Sequence, residues 1–128
     1  MGNEPILVVD DNALNLKLAR LLLSMEGYQV RTAERATAAL TVLETFHPRM
    51  ILMDIQLPGM DGLELTRQLR ADPQFDDVII LALTAFAMAA DEQKAKEAGC
   101  DGFVTKPLDT RSLPELVRAY LDKERRGG

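Results

Sequence analysis

The sequence is poor in aromatic residues, cysteine and histidine. Only 5% of its 128 residues are aromatic and none is tryptophan, so aliphatic side chains and methionine must fill the interior. The single cysteine, Cys100, excludes an internal disulfide, is typical of a reducing cytoplasm, and is expected to be a small buried hydrophobe. The single histidine, His47, has no second candidate ligand beside it. We therefore expect His47 to be a surface residue, because metal sites need clustered ligands.

Long hydrophobic runs and an excess of positive charge are also absent. No apolar stretch is long enough to span a bilayer, and the N-terminus lacks the basic-then-apolar pattern of a signal peptide. The net charge of −5 repels phosphate backbones and anionic lipid. We therefore expect a soluble, cytoplasmic protein that binds neither nucleic acid nor membrane.

What the chain does contain is a regular alternation of short apolar runs and helical patterns. Its length predicts one domain over residues 1–128. Such runs, bounded by helices, are typical of buried parallel strands. Five strands alternating with five helices predict a doubly wound α/β fold, with helices on both faces of a parallel sheet. The predicted strands are Ile6–Val9, Tyr28–Thr32, Met50–Met53, Val78–Leu83 and Phe103–Thr105.

The first predicted helix has apolar residues on more than one side. One stripe recurs at helical spacing, and Leu16 and Leu23 fall opposite it. An apolar surface this wide predicts a second contact, with a neighbouring helix or with a partner. The stripe consists of Leu14, Leu18, Leu21, Leu22 and Met25.

The other helices have clearer limits. Leu65 and Leu69 indicate the third helix, and a fourth near residues 88–98 is rich in alanine and charge, so few large side chains anchor it. Glycines 27 and 99 are expected to end the first and fourth helices, and Asp109 or Thr110 to cap the fifth. The second helix is predicted from Ala36, Ala39, Leu40, Leu43 and Phe46, ending before Pro48, and the fifth from Leu113, Leu116, Val117, Tyr120 and Leu121.

Polar residues follow four of the strands directly. Asp10 and Asp11 follow the first strand, Asp54 the third, Thr84 the fourth and Lys106 the fifth. Open parallel sheets bind ligands at the carboxyl ends of their strands, so these side chains are expected to meet at one edge.

The adjacent carboxylates predict a Mg²⁺ site. Carboxylates repel one another unless a cation lies between them, and Mg²⁺ prefers oxygen ligands while keeping several waters. Asp11 and Asp54 are expected to bind the ion directly and Asp10 through water. The backbone carbonyl of Gln56 is expected to complete the protein's ligands.

The same edge also fits phosphoryl transfer. An aspartate carboxylate can be the nucleophile that forms an aspartyl phosphate, and Asp54 suits this role because the other two remain free for the metal. Lys106 would place a positive charge on the phosphoryl oxygens, and the Thr84 hydroxyl would donate to one of them. Taken singly, these residues have ordinary explanations: a turn aspartate, a solvated lysine, a helix cap. Their occurrence together on four strand ends favours the functional interpretation.

Four segments that contain these strand-end residues resemble, in order, the four marker segments of bacterial two-component response regulator receiver domains. Asp11 to Asn15 and Thr84 to residue 88 resemble especially the single-domain receivers of the DivK type, although receivers attached to hybrid kinases carry similar stretches. The resemblance implies the flavodoxin-like strand order 2-1-3-4-5. The four segments are residues 8–12, 53–62, 83–85 and 105–107.

The resemblance also implies a mechanism. A histidine on a kinase or phosphotransfer protein would phosphorylate Asp54, with Mg²⁺ required. Thr84 would then move toward the phosphate and Phe103 into the vacated space, changing a face for a downstream effector. The alternative for Phe103 is that it is an ordinary core aromatic with a fixed position. Lys106–Pro107 matches the family's cis peptide. Asn15 and Leu18, beside the site, are the expected kinase-docking region.

Further hypotheses remain open from the sequence. Apolar Phe86, two residues after Thr84, predicts slow loss of the phosphate. The leading function is a signalling module that catalyses only its own phosphorylation and dephosphorylation. The alternatives are a Mg²⁺-dependent phosphohydrolase with an aspartyl-phosphate intermediate, a receiver fragment of a larger output protein, a pseudo-receiver, and, least favoured, an FMN-binding flavodoxin. Whether phosphorylation drives dimerisation is also left open.

Overall fold

The computed structural model describes residues 4–55, 61–84, 89–106 and 108–127. Its five strands form one sheet in the order β2-β1-β3-β4-β5, and every neighbouring pair is parallel. This is the predicted fold class and strand order. The strands are β1 (Pro5–Val9), β2 (Gln29–Ala33), β3 (Met50–Asp54), β4 (Ile79–Thr84) and β5 (Gly102–Thr105).

The helices cover both faces of the sheet. α1 and α5 pack with one hydrophobic cluster, whereas α2, α3 and α4 pack with the other. β3 and β4 are buried along their whole length, because apolar side chains on alternate sides meet a helix layer on each face. The helices are α1 (Ala13–Met25), α2 (Ala36–Leu43), α3 (Gly62–Arg70), α4 (Ala89–Ala98) and α5 (Ser112–Gly127), and a 3-10 turn spans Pro73–Phe75.

The helix ends follow the local sequence. Gly27 and Gly99 adopt positive φ angles of 94° and 112°, which confirms both predicted C-terminal glycines. Asp109, one of the two predicted caps, accepts hydrogen bonds from the N–H groups of Arg111 and Ser112 at the start of α5. The predicted α5 stripe faces the core, with Leu113, Val117 and Leu121 buried.

The structure decides which of the two apolar faces of α1 meets the sheet. Leu16, Ala19 and Leu23 form the buried face, although the sequence grouped Leu16 and Leu23 opposite the main stripe. Leu18 and Leu22 are half-buried against the cluster that contains α5. The remaining three residues of that stripe, Leu14, Leu21 and Met25, are 76%, 57% and 73% exposed. Helical spacing identified two apolar faces, but only the sheet decides which one it covers.

The second helix also ends earlier than predicted. α2 stops at Leu43, and Phe46 lies beyond it, half-buried, with the Arg31 guanidinium 5.3 Å from its ring centroid. After Leu43 the helix gives way to a tighter turn, in which the N–H of Thr45 donates to the carbonyl of Val42, three residues earlier instead of four, while the apolar spacing continues. Strand limits differ from the predictions by one residue: β2 begins and ends one residue later, and β4 includes Thr84.

Two residues judged structural from the sequence are found in ordinary environments. The His47 side chain is 52% exposed and stacks on Phe75, with its Nε2 atom 3.6 Å from Asp77. Cys100 is buried, and this burial raises the pKa of its thiol to about 11. Across the ranges that the structure covers, no helix is both long and apolar enough to cross a membrane.

Candidate phosphorylation site

Asp10 lies at the carboxyl end of β1 and is fully buried. Its Oδ1 accepts a hydrogen bond from the N–H of Asn12 at 2.9 Å, and its Oδ2 accepts one from the Nδ2 amide of Asn15 at 3.2 Å. Both donors belong to the start of α1, so the helix that follows the strand holds this carboxylate in place.

Asp54 is the last residue of β3 and is 2% exposed. Lys106, just after β5, places its Nζ 2.7 Å from Asp54 Oδ2 and 3.4 Å from Asp10 Oδ2. A lysine from one strand end therefore bridges carboxylates from two others. Such pairing is what allows charged groups to be buried together.

The position of Lys106 depends on the pairing of β5 with β4. Its backbone N–H donates to the carbonyl of Thr84 at 2.8 Å. Burial by itself disfavours the charged ammonium group, but the hydrogen bond and charge of Asp54, with the charge of Asp10, outweigh it and raise the pKa of Lys106. The lysine is therefore a stable cation at neutral pH.

Asp11 completes an acidic cluster. Each of Asp10, Asp11 and Asp54 offers one carboxylate oxygen, and these three oxygens all lie within 4.8 Å of one another. Asp11 is exposed, so this side of the cluster is open to solvent. Hard oxygen donors beside open space fit Mg²⁺, which binds few carboxylates and keeps water ligands.

Thr84 reaches the same edge at the end of β4 and is 4% exposed. In the strand register Asp54 lies opposite Leu83, so Thr84 is one residue further toward the carboxyl edge. Four of the five predicted residues thus belong to one charged cluster, and Thr84 lies at the neighbouring strand end. Predictions on Gln56, Phe86 and Pro107 fall outside the residues that the structure describes.

Two contributors to the site were not identified from the sequence. Asn15 appeared only in a family-like stretch and as a docking residue, yet its amide contacts Asp10. Gly62 appeared only as the last residue of the family-like segment 53–62, yet a Cβ there would collide with the backbone carbonyl of Asp54. The available signal for Asn15 was its place in the first turn of the helix directly after the aspartates.

The sequence and the fold both match known proteins. A family model described as the response regulator receiver domain matches residues 6–118. The chain is 38% identical over 116 residues to the polar-differentiation response regulator DivK of Brucella ovis, covering 91% of this chain and 94% of that protein. This confirms the resemblance to the DivK type.

Solved structures are similar as well. The chemotaxis response regulator CheY4 of Vibrio cholerae has a TM-score of 0.87 at 26% identity, covering 91% of this chain and 98% of that one. The receiver domain of sensor histidine kinase PA1611 from Pseudomonas aeruginosa PAO1 has a TM-score of 0.84 at 30% identity, covering 94% and 99% of the two chains. That structure has a magnesium ion coordinated in its active site cleft. Since the family model matches most of its length, the chain belongs to the response regulator receiver family and is a phosphorylation-dependent signalling module of two-component systems.

Proposed function

We propose that Asp54 is the phosphoryl acceptor of this receiver and that a bound Mg²⁺ assists the transfer. The observation that carries the proposal is the position of Asp54: its buried carboxylate lies beside two others and 2.7 Å from the Lys106 ammonium group. A nucleophilic carboxylate, a cation and further oxygen ligands are the parts that aspartyl phosphorylation requires.

The acidic cluster is the proposed Mg²⁺ site. Asp11 and Asp54 would bind the ion directly, Asp10 through water, and the Gln56 carbonyl would add one oxygen. Once bound, the ion neutralises negative charge on the phosphoryl oxygens. The magnesium-bound receiver of similar structure supports this assignment.

In the proposed transfer, an oxygen of the Asp54 carboxylate forms a bond to phosphorus as the phosphorus–nitrogen bond to a phosphohistidine breaks. The electron pair of the broken bond stays on the histidine nitrogen, which takes up a proton. Lys106 balances charge on the phosphoryl oxygens, and the Thr84 hydroxyl donates to one of them. The product is the modified chain itself, so we propose that it catalyses only its own phosphorylation and dephosphorylation. Family membership favours this role over the phosphohydrolase alternative.

We propose that the phosphohistidine partner docks on α1 beside the site. Asn15 and Leu18 are the residues expected from the sequence, and Leu14, Leu21 and Met25 add exposed apolar surface to the same helix. Exposed apolar patches of this kind mark protein-binding surfaces. The partner is a histidine kinase or a histidine phosphotransfer protein.

The proposed signal leaves through α4, β5 and α5. Phe103 lies opposite Ala82 in the β4–β5 register, and Ala82 is two residues before Thr84 on the same strand. The side chains of Phe103 and Thr84 therefore point to the same face of the sheet. Phe103 is half-buried and lines a cavity of about 540 Å³ with residues of α4 and with Tyr120 of α5. A half-buried aromatic beside a cavity has room to move when Thr84 moves, and an effector protein would detect the changed face.

Residues 1–128 are proposed to form a single receiver domain that acts in the cytoplasm, supported by the match over residues 6–118. Pairing of two phosphorylated copies stays an untested prediction.

The test of the proposed acceptor is intact mass after incubation with acetyl phosphate and Mg²⁺. Wild type should gain the mass of one phosphoryl group, only when Mg²⁺ is present, and Asp54→Asn should gain none, because the amide is not a nucleophile. Asp77→Asn is the matched control, since Asp77 is an exposed aspartate outside the acidic cluster, next to His47. An adduct on Asp54→Asn would move the acceptor elsewhere. No adduct on wild type, with no release of inorganic phosphate, would favour a pseudo-receiver.

A further inference from the structure

We infer that Asn15 is a positioning residue that orients the Asp10 carboxylate and thereby sets the affinity of the site for Mg²⁺. The inference rests on the proposed function, because it assumes the acidic cluster to be the Mg²⁺ site. Asn15 lies on α1, outside the set of acidic residues, and contacts the site through one hydrogen bond from Nδ2 to Asp10 Oδ2 at 3.2 Å.

The Asn15 amide is presented from a rigid turn. The Asn12 side chain caps α1 by accepting hydrogen bonds from the N–H groups of Leu14 and Asn15, at 2.9 and 3.2 Å. The N–H of Asn12 itself donates to Asp10 Oδ1. One capped turn therefore holds both oxygens of the same buried carboxylate, and this fixes the plane of the group.

Lys106 cannot fulfil this role alone. Its Nζ is 3.4 Å from Asp10 Oδ2 but 2.7 Å from Asp54, so Asp54 is its closer partner, and it is the group proposed to balance the phosphoryl charge. Asn15 donates to the same Asp10 oxygen without adding charge. A neutral donor orients a carboxylate without repelling the metal ion, whereas an additional cation would repel it.

Loss of the Asn15 amide should weaken metal binding and leave the chemistry of Asp54 intact. Hydrogen-bonding partners of metal ligands typically contribute about 10–100-fold to metal affinity. We expect the lower end, about tenfold, because Asp10 keeps its bond from the Asn12 N–H and is expected to bind the ion through water. The phosphorylation rate at saturating Mg²⁺ should stay close to the wild-type value.

The experiment measures Mg²⁺ affinity by titration calorimetry and, separately, the Mg²⁺ dependence of phosphorylation by acetyl phosphate. Asn15→Ala should raise the Mg²⁺ dissociation constant about tenfold and shift the half-saturating Mg²⁺ concentration equally, without lowering the plateau rate. Asn15→Leu keeps the branched shape without the donor and should behave alike, which guards against poor folding of either variant. A purely structural defect would lower the plateau rate instead.

Ser24→Ala is the matched control, because Ser24 is an exposed neutral residue on the same helix, away from the site. It should leave Mg²⁺ affinity unchanged. If the Asn15 variants bind Mg²⁺ as tightly as wild type, the positioning role is wrong, and a normal adduct on Asp54 would leave the proposed function standing. If wild type itself binds no Mg²⁺ and forms no adduct, the proposed function fails and this inference with it.

Discussion

The Lys106–Asp54 pair makes stability depend on pH in the alkaline range. The raised pKa of Lys106 means that the folded protein holds this proton more tightly than the unfolded chain. The stabilisation of the fold by this ion pair is therefore complete below the ordinary lysine pKa of 10.5, and it is lost as the pH rises through the pKa of Lys106 in the folded protein. Lys106→Met should lower the free energy of unfolding at neutral pH by about 1.5 kcal/mol, the low end for a hydrogen bond between charged groups, because solvent reaches the lysine side chain, which is 19% exposed.

Urea denaturation across the alkaline range would measure this effect. Wild type should lose stability above the lysine range, and Lys106→Met should lose less. Tyr28 needs its own control, because burial raises the pKa of Tyr28 despite the opposing effect of Arg118. The contribution of Tyr28 to the free energy of unfolding is therefore also lost as the pH rises. Tyr28→Phe should retain the Lys106 contribution. Parallel pH curves for wild type and Lys106→Met would contradict the prediction.

Gly62 determines how closely α3 approaches the proposed phosphorylation site. It is the first residue of α3, and its N–H donates to the carbonyl of Ile55 at 3.3 Å. A Cβ there would collide with the Asp54 carbonyl, so Gly62→Ala should lower the free energy of unfolding by about 1–3 kcal/mol. It should also slow phosphorylation by acetyl phosphate, because the Asp54 backbone must shift.

Gly27→Ala separates these two effects. Gly27 has a positive φ angle of 94° at the end of α1, away from Asp54, so alanine there should cost about 1 kcal/mol or more without slowing phosphorylation. Denaturation and intact-mass kinetics on both variants would test this. Equal phosphorylation rates would show that the contact of Gly62 with Asp54 is not needed for acceptor geometry.

Helix α1 has a buried face and an exposed apolar face, and the two should respond differently to substitution. Leu23→Ala should lower the free energy of unfolding by about 2–5 kcal/mol, because Leu23 is fully buried. Leu21→Ala should change it by less than about 0.5 kcal/mol, because Leu21 is 57% exposed. If α1 is the docking helix, Leu21→Ala should slow transfer from a phosphorylated histidine kinase but not from acetyl phosphate.

Denaturation of both variants, with transfer rates for Leu21→Ala, would check this pair of expectations. Equal slowing with the kinase and with acetyl phosphate would place the defect at the site and remove the docking role. Unchanged rates with both donors would move the docking surface elsewhere.

The elements show where sequence patterns suffice. Each predicted strand and helix exists, because short apolar runs and helical spacing report what each segment can bury. The sequence left open which face of α1 meets the sheet, and it extended α2 to Phe46, because spacing alone reveals neither the covered face nor where the chain turns away. Tertiary packing decides both.

The whole molecule places a weakly packed helix beside the proposed switch. Among the α4 side chains that the structure describes, only Ala95 and Ala98 are buried, and neither is large. The C-terminal end of α4 is better held: Arg70 donates from Nε to the carbonyl of Gly99 at 2.9 Å and pairs with Asp101 at 2.8 Å. Elements with few apolar contacts open most easily.

Hydrogen exchange would test whether α4 responds to phosphorylation. Adding Mg²⁺ and beryllium fluoride, a phosphoryl mimic, should change amide exchange in α4 and β5 more than in α2. The reason is that β5 contains Phe103 and pairs with Thr84, and that Phe103 lines a cavity with residues of α4. Asp54→Asn should abolish the change. An equal response in α2, or none in α4, would contradict the proposed output face.

The strands, the strand-end residues and the charge of the molecule followed from the sequence alone, because they depend on local spacing and on residue chemistry. Five polar residues at the ends of four apolar runs already indicated one acidic edge with a lysine. The bridge from Lys106 to two carboxylates, the amide of Asn15 on Asp10 and the closeness of Gly62 to Asp54 emerged only from the folded chain. These contacts join residues from different elements, and their distances depend on how helices and strands pack, which no linear pattern records.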